Sequence, residues 1–258
     1  MQGNVARTRQ LAVLTLIAAA AAFWVLLHAP PAPRAPATPK TPGRATPVSA
    51  TPTAPDEIAE KLADGRYRLG KAIADTQARE VTCEGRVNMT AGALEYLAVT
   101  PFGKRHESLL ELDVRPLHLQ LALILIGLEP RGGLTIQGDE RPPLGDPVRV
   151  LIAWTDGDAE KRIPAEQLVR DVRTEKPMPA DAWIFSGSLV DEQGFSADTD
   201  GSLIGIYRDP IALINNVLPT GADDTVYEVF EGAPPPLGTP VQLILQAVPP
   251  ADRARAEQ

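Results

Sequence analysis

Nine prolines stand between Pro30 and Pro55, mostly as Ala-Pro and Thr-Pro pairs. Each one fixes φ and removes a backbone donor, so this stretch can enter neither a helix nor a sheet interior. A chain of 258 residues interrupted this early must build its core further on. Residues 29–55 are expected to form a stiff polyproline II linker, reaching about 80 Å at ~3.1 Å per residue. A single globular domain is expected at 56–250, with a frayed, charged tail at 251–258.

Ahead of the prolines, Leu11 to Leu27 is apolar except for Thr15. As a helix it would span roughly 26 Å, close to the ~30 Å hydrocarbon core of a bilayer. Arg7 and Arg9 precede it, and Phe23 and Trp24 lie near its far end. This is the order of a basic tail (1–10) and a transmembrane signal anchor (11–28). Bulky Leu27, followed closely by Pro30 and Pro31, disfavours cleavage. The expectation is a membrane-anchored protein whose folded domain is periplasmic or otherwise extracytoplasmic.

Charge is divided as sharply as proline. Residues 1–55 carry five basic side chains and no acidic one, while the whole chain is at −8, which leaves −13 on residues 56–258. So acidic a domain repels a phosphate backbone, and no nucleic-acid partner is expected. The lone cysteine, Cys83, allows no intrachain disulfide and no cysteine-based zinc knuckle. It alternates with apolar neighbours in a strand-like run, which predicts a buried, inert thiol.

The fold class expected for the body is α+β, with mostly antiparallel strands packed on a buried central helix. Pro116 to Leu128 supplies that helix. Pro116 suits a first turn and Gly127 a C-terminal stop, and Leu117, Leu121, Ile124, Leu125 and Leu128 make a stripe. Strands are expected at 66–74, 80–87, 148–154, 182–189, 202–207, 225–230 and 241–248, with a short helix at 209–214. Ala93–Thr100 and Arg105–Asp113 read as a hairpin around Gly103. Pairing Val99 with His106 would put Glu95, His106 and Ser108 on one face.

These residues carry a resemblance. GRVNMTAGALEYLAVTPFGKRHESLLELDVRP at 85–116, GDPVRVLIAWTDG at 145–157, IPAEQL at 163–168, AWIFSGS at 182–188 and DPIALINN at 209–216 resemble the YdjY domain of bacteria. The likeness runs over about 66–248. It implies one domain and a bacterial source, and no reaction.

Chemistry-bearing residues are sparse. His106-Glu107 opens like a zincin motif, but the second histidine it needs is Leu110. His106 and Ser108 on one strand would lie ~6.6 Å apart, beyond hydrogen-bonding reach, and no Gly-x-Ser-x-Gly elbow exists. His118 reads as a half-buried residue at a helix start. Glu95, His106 and His118 could converge on a metal, though without diagnostic spacing. Asp198-Thr199-Asp200-Gly201 fits a turn better than a calcium loop, since Tyr207 stands where the bidentate glutamate belongs. Asn215-Asn216 and Asp223-Asp224 are loop candidates for ligand contacts. No phosphate loop or dinucleotide fingerprint occurs, and no cofactor is expected. The expected role is binding or assembly with a protein or envelope ligand. The alternative is a hydrolytic or metal-dependent envelope enzyme with its site at Glu95, His106, Glu107, Ser108 and His118.

Overall fold

The computed structural model describes residues 58–192 and 194–249. Its strands begin with an antiparallel meander, β1 (Glu60–Lys61), β2 (Tyr67–Leu69), β3 (Ala72–Asp75) and β4 (Glu80–Val87). Next come β5 (Tyr96–Val99), β6 (Ser108–Leu112) and helix α1 (Pro116–Leu125). The hairpin β7 (Asp146–Asp156) and β8 (Ala159–Pro164) is followed by β9 (Val169–Asp171), β10 (Lys176–Pro177) and β11 (Trp183–Phe185). The chain ends with β12 (Val190–Asp191), β13 (Gly194–Phe195), the short helix α2 (Ser196–Asp200), β14 (Ser202–Gly205), β15 (Ile214–Asn216), β16 (Tyr227–Val229) and β17 (Pro240–Ala247).

The order β4–β17–β7–β11–β15–β14–β5–β6 returns to β4, because β6 pairs with it, and these eight strands close a barrel. Closure satisfies every edge within the ring. β4 shares one edge between two partners: Glu80–Thr82 meet β3 and Gly85–Val87 meet β6. Gly85 makes the seam possible, since a Cβ there would lie 2.5 Å from the Glu111 carbonyl oxygen. Alternation on β4 buries Val81, Cys83 and Val87, and β17 and β7 add Leu243, Leu245, Val148, Val150 and Ile152 to the same core. Cys83 is buried, as its pattern predicts.

The fold is therefore mostly β, a closed barrel, and not the expected α+β body built on a central helix. α1 lies against β2, β3 and β4 instead of at the centre. Its limits match their signals: Pro116 opens it, and Gly127 at φ +86 closes it in a Schellman motif, with Gly127 N–H to Ile124 O at 2.9 Å and Leu128 N–H to Leu123 O at 3.2 Å. Arg79 adds bonds to the carbonyls of Ile126 and Gly127. The buried side is Leu119, Ala122, Leu123 and Ile126; of the predicted stripe only Leu128 is fully buried, while Leu117, Leu121, Ile124 and Leu125 are half-buried. A helix apolar nearly all round does not announce which side faces inward.

The expected β5–β6 hairpin is also corrected. The two strands run parallel, with Tyr96 opposite Ser108 and Ala98 opposite Leu110. Residues 100–107 carry the chain back across the barrel, and Arg105–Glu107 form a 3₁₀ turn within that return. Both strands are buried at every position, so no polar alternation marks their register. The helix expected at 209–214 is a turn leading into β15, where Asn215 and Asn216 are buried and not loop residues.

The expected basic tail (1–10), transmembrane signal anchor (11–28), linker (29–55) and frayed tail (251–258) lie outside the described residues. Among the described residues no helix is long and apolar enough to cross a membrane. α1 has ten residues, where a span takes about 20. The expectations of membrane anchoring through 11–28 and of a membrane-held extracytoplasmic domain gain no support from this structure and are withdrawn.

Candidate functional site

Two regions gather the polar residues that the sequence singles out. The first is a groove of about 640 Å³ at the start of α1, lined by Gly70, Lys71, Phe102, Asp113, Arg115, His118 and Asp198, with Pro101, Val114 and Pro116 as its apolar part. α1 brings His118 here on its first turn. The β2–β3 turn brings Gly70 and Lys71, and α2 brings Asp198. Gly70 has φ +56, and a Cβ on it would lie 2.1 Å from His118 Nδ1, so the imidazole occupies the space an ordinary side chain would fill.

Charges in the groove are matched in pairs. Lys71 Nζ donates to Asp113 Oδ2. Arg115 Nε donates to Asp198 Oδ2 at 2.7 Å, and Asp198 Oδ1 accepts the Leu117 N–H at 2.9 Å. Burial, then the Arg115 cation, holds the His118 pKa below the usual histidine value, with Asp198 opposing. Phe102 stands at the mouth, 60% exposed.

The second region surrounds Tyr96 on β5. The Tyr96 hydroxyl donates to Asp209 Oδ2 at 2.7 Å and accepts from Lys104 Nζ at 2.9 Å. Lys104 also donates to both Asp200 oxygens, at 3.2 and 3.3 Å, and its ammonium lies 4.9 Å from the Tyr96 ring centroid. Burial, then Asp209, pushes the Tyr96 hydroxyl pKa far up, which keeps it a donor. At the rim Glu95 accepts from Gln137 Nε2 at 3.1 Å. Its carboxyl pKa is raised, first by burial and then by the charges of Glu107 and Asp224. These groups spend their hydrogen bonds on one another and join β5, α2 and the segment after β14.

The sequence-derived residues fall into both regions. Glu95 and Glu107 are neighbours, with Glu95 N–H bonded to Glu107 O at 3.0 Å. His106 is surface-exposed, its side chain 79% accessible, with Nε2 3.4 Å from Glu107. Ser108 is fully buried and its hydroxyl donates to Lys104 O at 2.6 Å. His118 belongs to the groove. Among the described residues no hydrogen bond or ion pair joins His106 to His118, and no group of three His, Cys, Asp or Glu side chains is placed to hold a metal ion. Asp198 stands in a helix and caps another one; it is not part of the β-turn that its sequence suggests.

Sequence reasoning passed over Tyr96, Lys104, Asp209, Lys71, Phe102 and Arg115. It also passed over Arg208, which is buried with its guanidinium bonded to the carbonyls of Asp139, Glu140 and Arg141 on one segment and Asn216, Val217 and Leu218 on another. A charged residue inside the apolar-flanked run IYRDPIALI was the available signal.

Fold and site together define a closed β-barrel domain with a charge-balanced lateral groove. The family model of the YdjY domain matches residues 73–246, and the chain belongs to that family. Comparison with curated proteins and with solved structures gave no match.

Proposed function

We propose that this YdjY domain is a binding module and that its ligand seat is the groove at the start of α1. The observation that carries this reading is Phe102, a large aromatic held in water at the mouth of a groove whose own charges are already paired. A solvated aromatic beside the apolar lining of Pro101, Val114 and Pro116 suits one apolar side chain of a partner segment. The paired charges around it suit a partner without strong net charge. The Tyr96 region, by contrast, spends its polar groups internally and serves as framework.

The test is selection of peptides from a display library on the full chain, followed by titration of a selected peptide into isotope-labelled protein. Chemical-shift changes are expected at Gly70, Phe102, Val114 and His118, and Phe102→Ala is expected to weaken binding by about tenfold or more. Shifts confined to another face, or affinity untouched by Phe102→Ala, would overturn the reading.

A further inference from the structure

The seat of His118 raises a question the groove alone does not answer: what holds the β2–β3 turn onto α1? The imidazole lies where a Gly70 side chain would be, so ring and turn are packed together closely enough to require glycine there. Four charged groups line the groove with the ring, and of these Arg115 and Asp198 act on its charge. Arg115 precedes the helix, Lys71 follows Gly70 on the turn, Asp113 lies before α1, and Asp198 comes from α2. Both carboxylates are engaged, Asp113 by Lys71 and Asp198 by Arg115 and the Leu117 N–H. The positive end of the α1 dipole adds to the two cations. A proton on the imidazole would therefore meet burial, the Arg115 cation and a helix N-terminus, which Asp198, already engaged by Arg115 and the Leu117 N–H, offsets only in part.

We propose that His118 is a pH-sensitive clasp for the groove: neutral, it seats the β2–β3 turn on α1, and protonated, it leaves that seat and lets the turn and the groove wall part. Its use as regulation rests on the binding reading above; the clasp itself does not. The burial and Arg115 charge that disfavour the imidazolium keep the clasp shut at pH 7 and above, and acidification below the ordinary histidine range opens it.

The experiment uses the full chain without ligand. Amide hydrogen-exchange protection factors are measured at 67–75 and 116–119 between pH 7.5 and 5.0, with β17 as internal reference, while the His118 ring is titrated by NMR. Protection at 67–75 is expected to fall several-fold with the same midpoint as the His118 ring, and β17 to stay unchanged. His118→Gln, which keeps His106 and every other titratable group, is expected to give a flat profile. Constant protection in the wild type, an equal fall in His118→Gln, or a midpoint that follows His106 overturns the clasp. If His118→Gln releases the turn at every pH, the wild-type midpoint alone decides. Peptide affinity at pH 7.5 is a separate readout: its dependence on Phe102 tests the groove, and can fail while the clasp stands, or hold while the clasp fails.

Discussion

Asp198 caps a helix that is not its own, its Oδ1 accepting the Leu117 N–H at 2.9 Å from 81 positions away. Arg115, at the N-cap position of α1, makes no side-chain cap, so the Leu117 donor in the first turn is satisfied by α2. Asp198→Ala is expected to lower stability by about 1–2 kcal/mol. Asp198→Asn, which keeps the acceptor, should lose roughly half as much. Urea unfolding followed by circular dichroism measures both.

Any side chain at Gly70 would collide with the His118 ring. Gly70→Ala is expected to cost more than about 2 kcal/mol, from left-handed backbone and steric overlap together. In the double variant with His118→Ala the overlap vanishes and the backbone part remains. A double-mutant cycle should therefore show coupling of about 1–3 kcal/mol, and additive effects would refute the contact.

Barrel closure at Gly85 gives a third outcome. Gly85→Ala places a methyl group against the Glu111 carbonyl and is expected to destabilise by about 1–3 kcal/mol. Loss of amide protection should spread through β6 first, since the atoms nearest the added carbon belong to Glu111 and Leu112 on that strand.

Arg208 spreads one guanidinium over six carbonyls from two segments. Lysine keeps the charge but has three donors and no planar fork. Arg208→Lys is expected to cost more than about 3 kcal/mol, read as a large drop in denaturation midpoint or as insoluble protein. Wild-type stability in that variant would show that the clamp contributes nothing.

Burial, with a smaller push from Glu84, raises the Cys83 thiol to about 12. Ionisation is thus disfavoured in the folded state. The associated stability is intact below the unfolded value of 9.0 and is lost as pH rises from there toward about 12. Native protein at pH 8 is expected to react with a thiol reagent about 10³-fold more slowly than unfolded protein. Comparable rates in the two states would mean that Cys83 is reachable from solvent.

Some of this was legible in the linear chain. Pro116 and Gly127 are local start and stop signals, and they bound α1 within a few residues. The alternation Val81, Cys83 placed the thiol inside, and the 85–116 block identified the family. Other features were not, because their partners are remote. Tyr96 and Asp209 meet across 113 positions. The predicted hairpin at Gly103 failed because β5 and β6, buried on both faces, give no alternation from which to read direction.

The amino-acid order by itself determined the family, the ends of α1, the inward-facing thiol and the chain's net negative charge. Only the tertiary structure decided that the strands close into a barrel, that α1 lies against its side, and that His118 and Phe102 share a groove while His106 stands apart in solvent. The first set depends on backbone preferences, burial patterns and net charge written into neighbouring residues. The second depends on which strand edges and side chains meet across long loops, and that is settled only when the whole core packs.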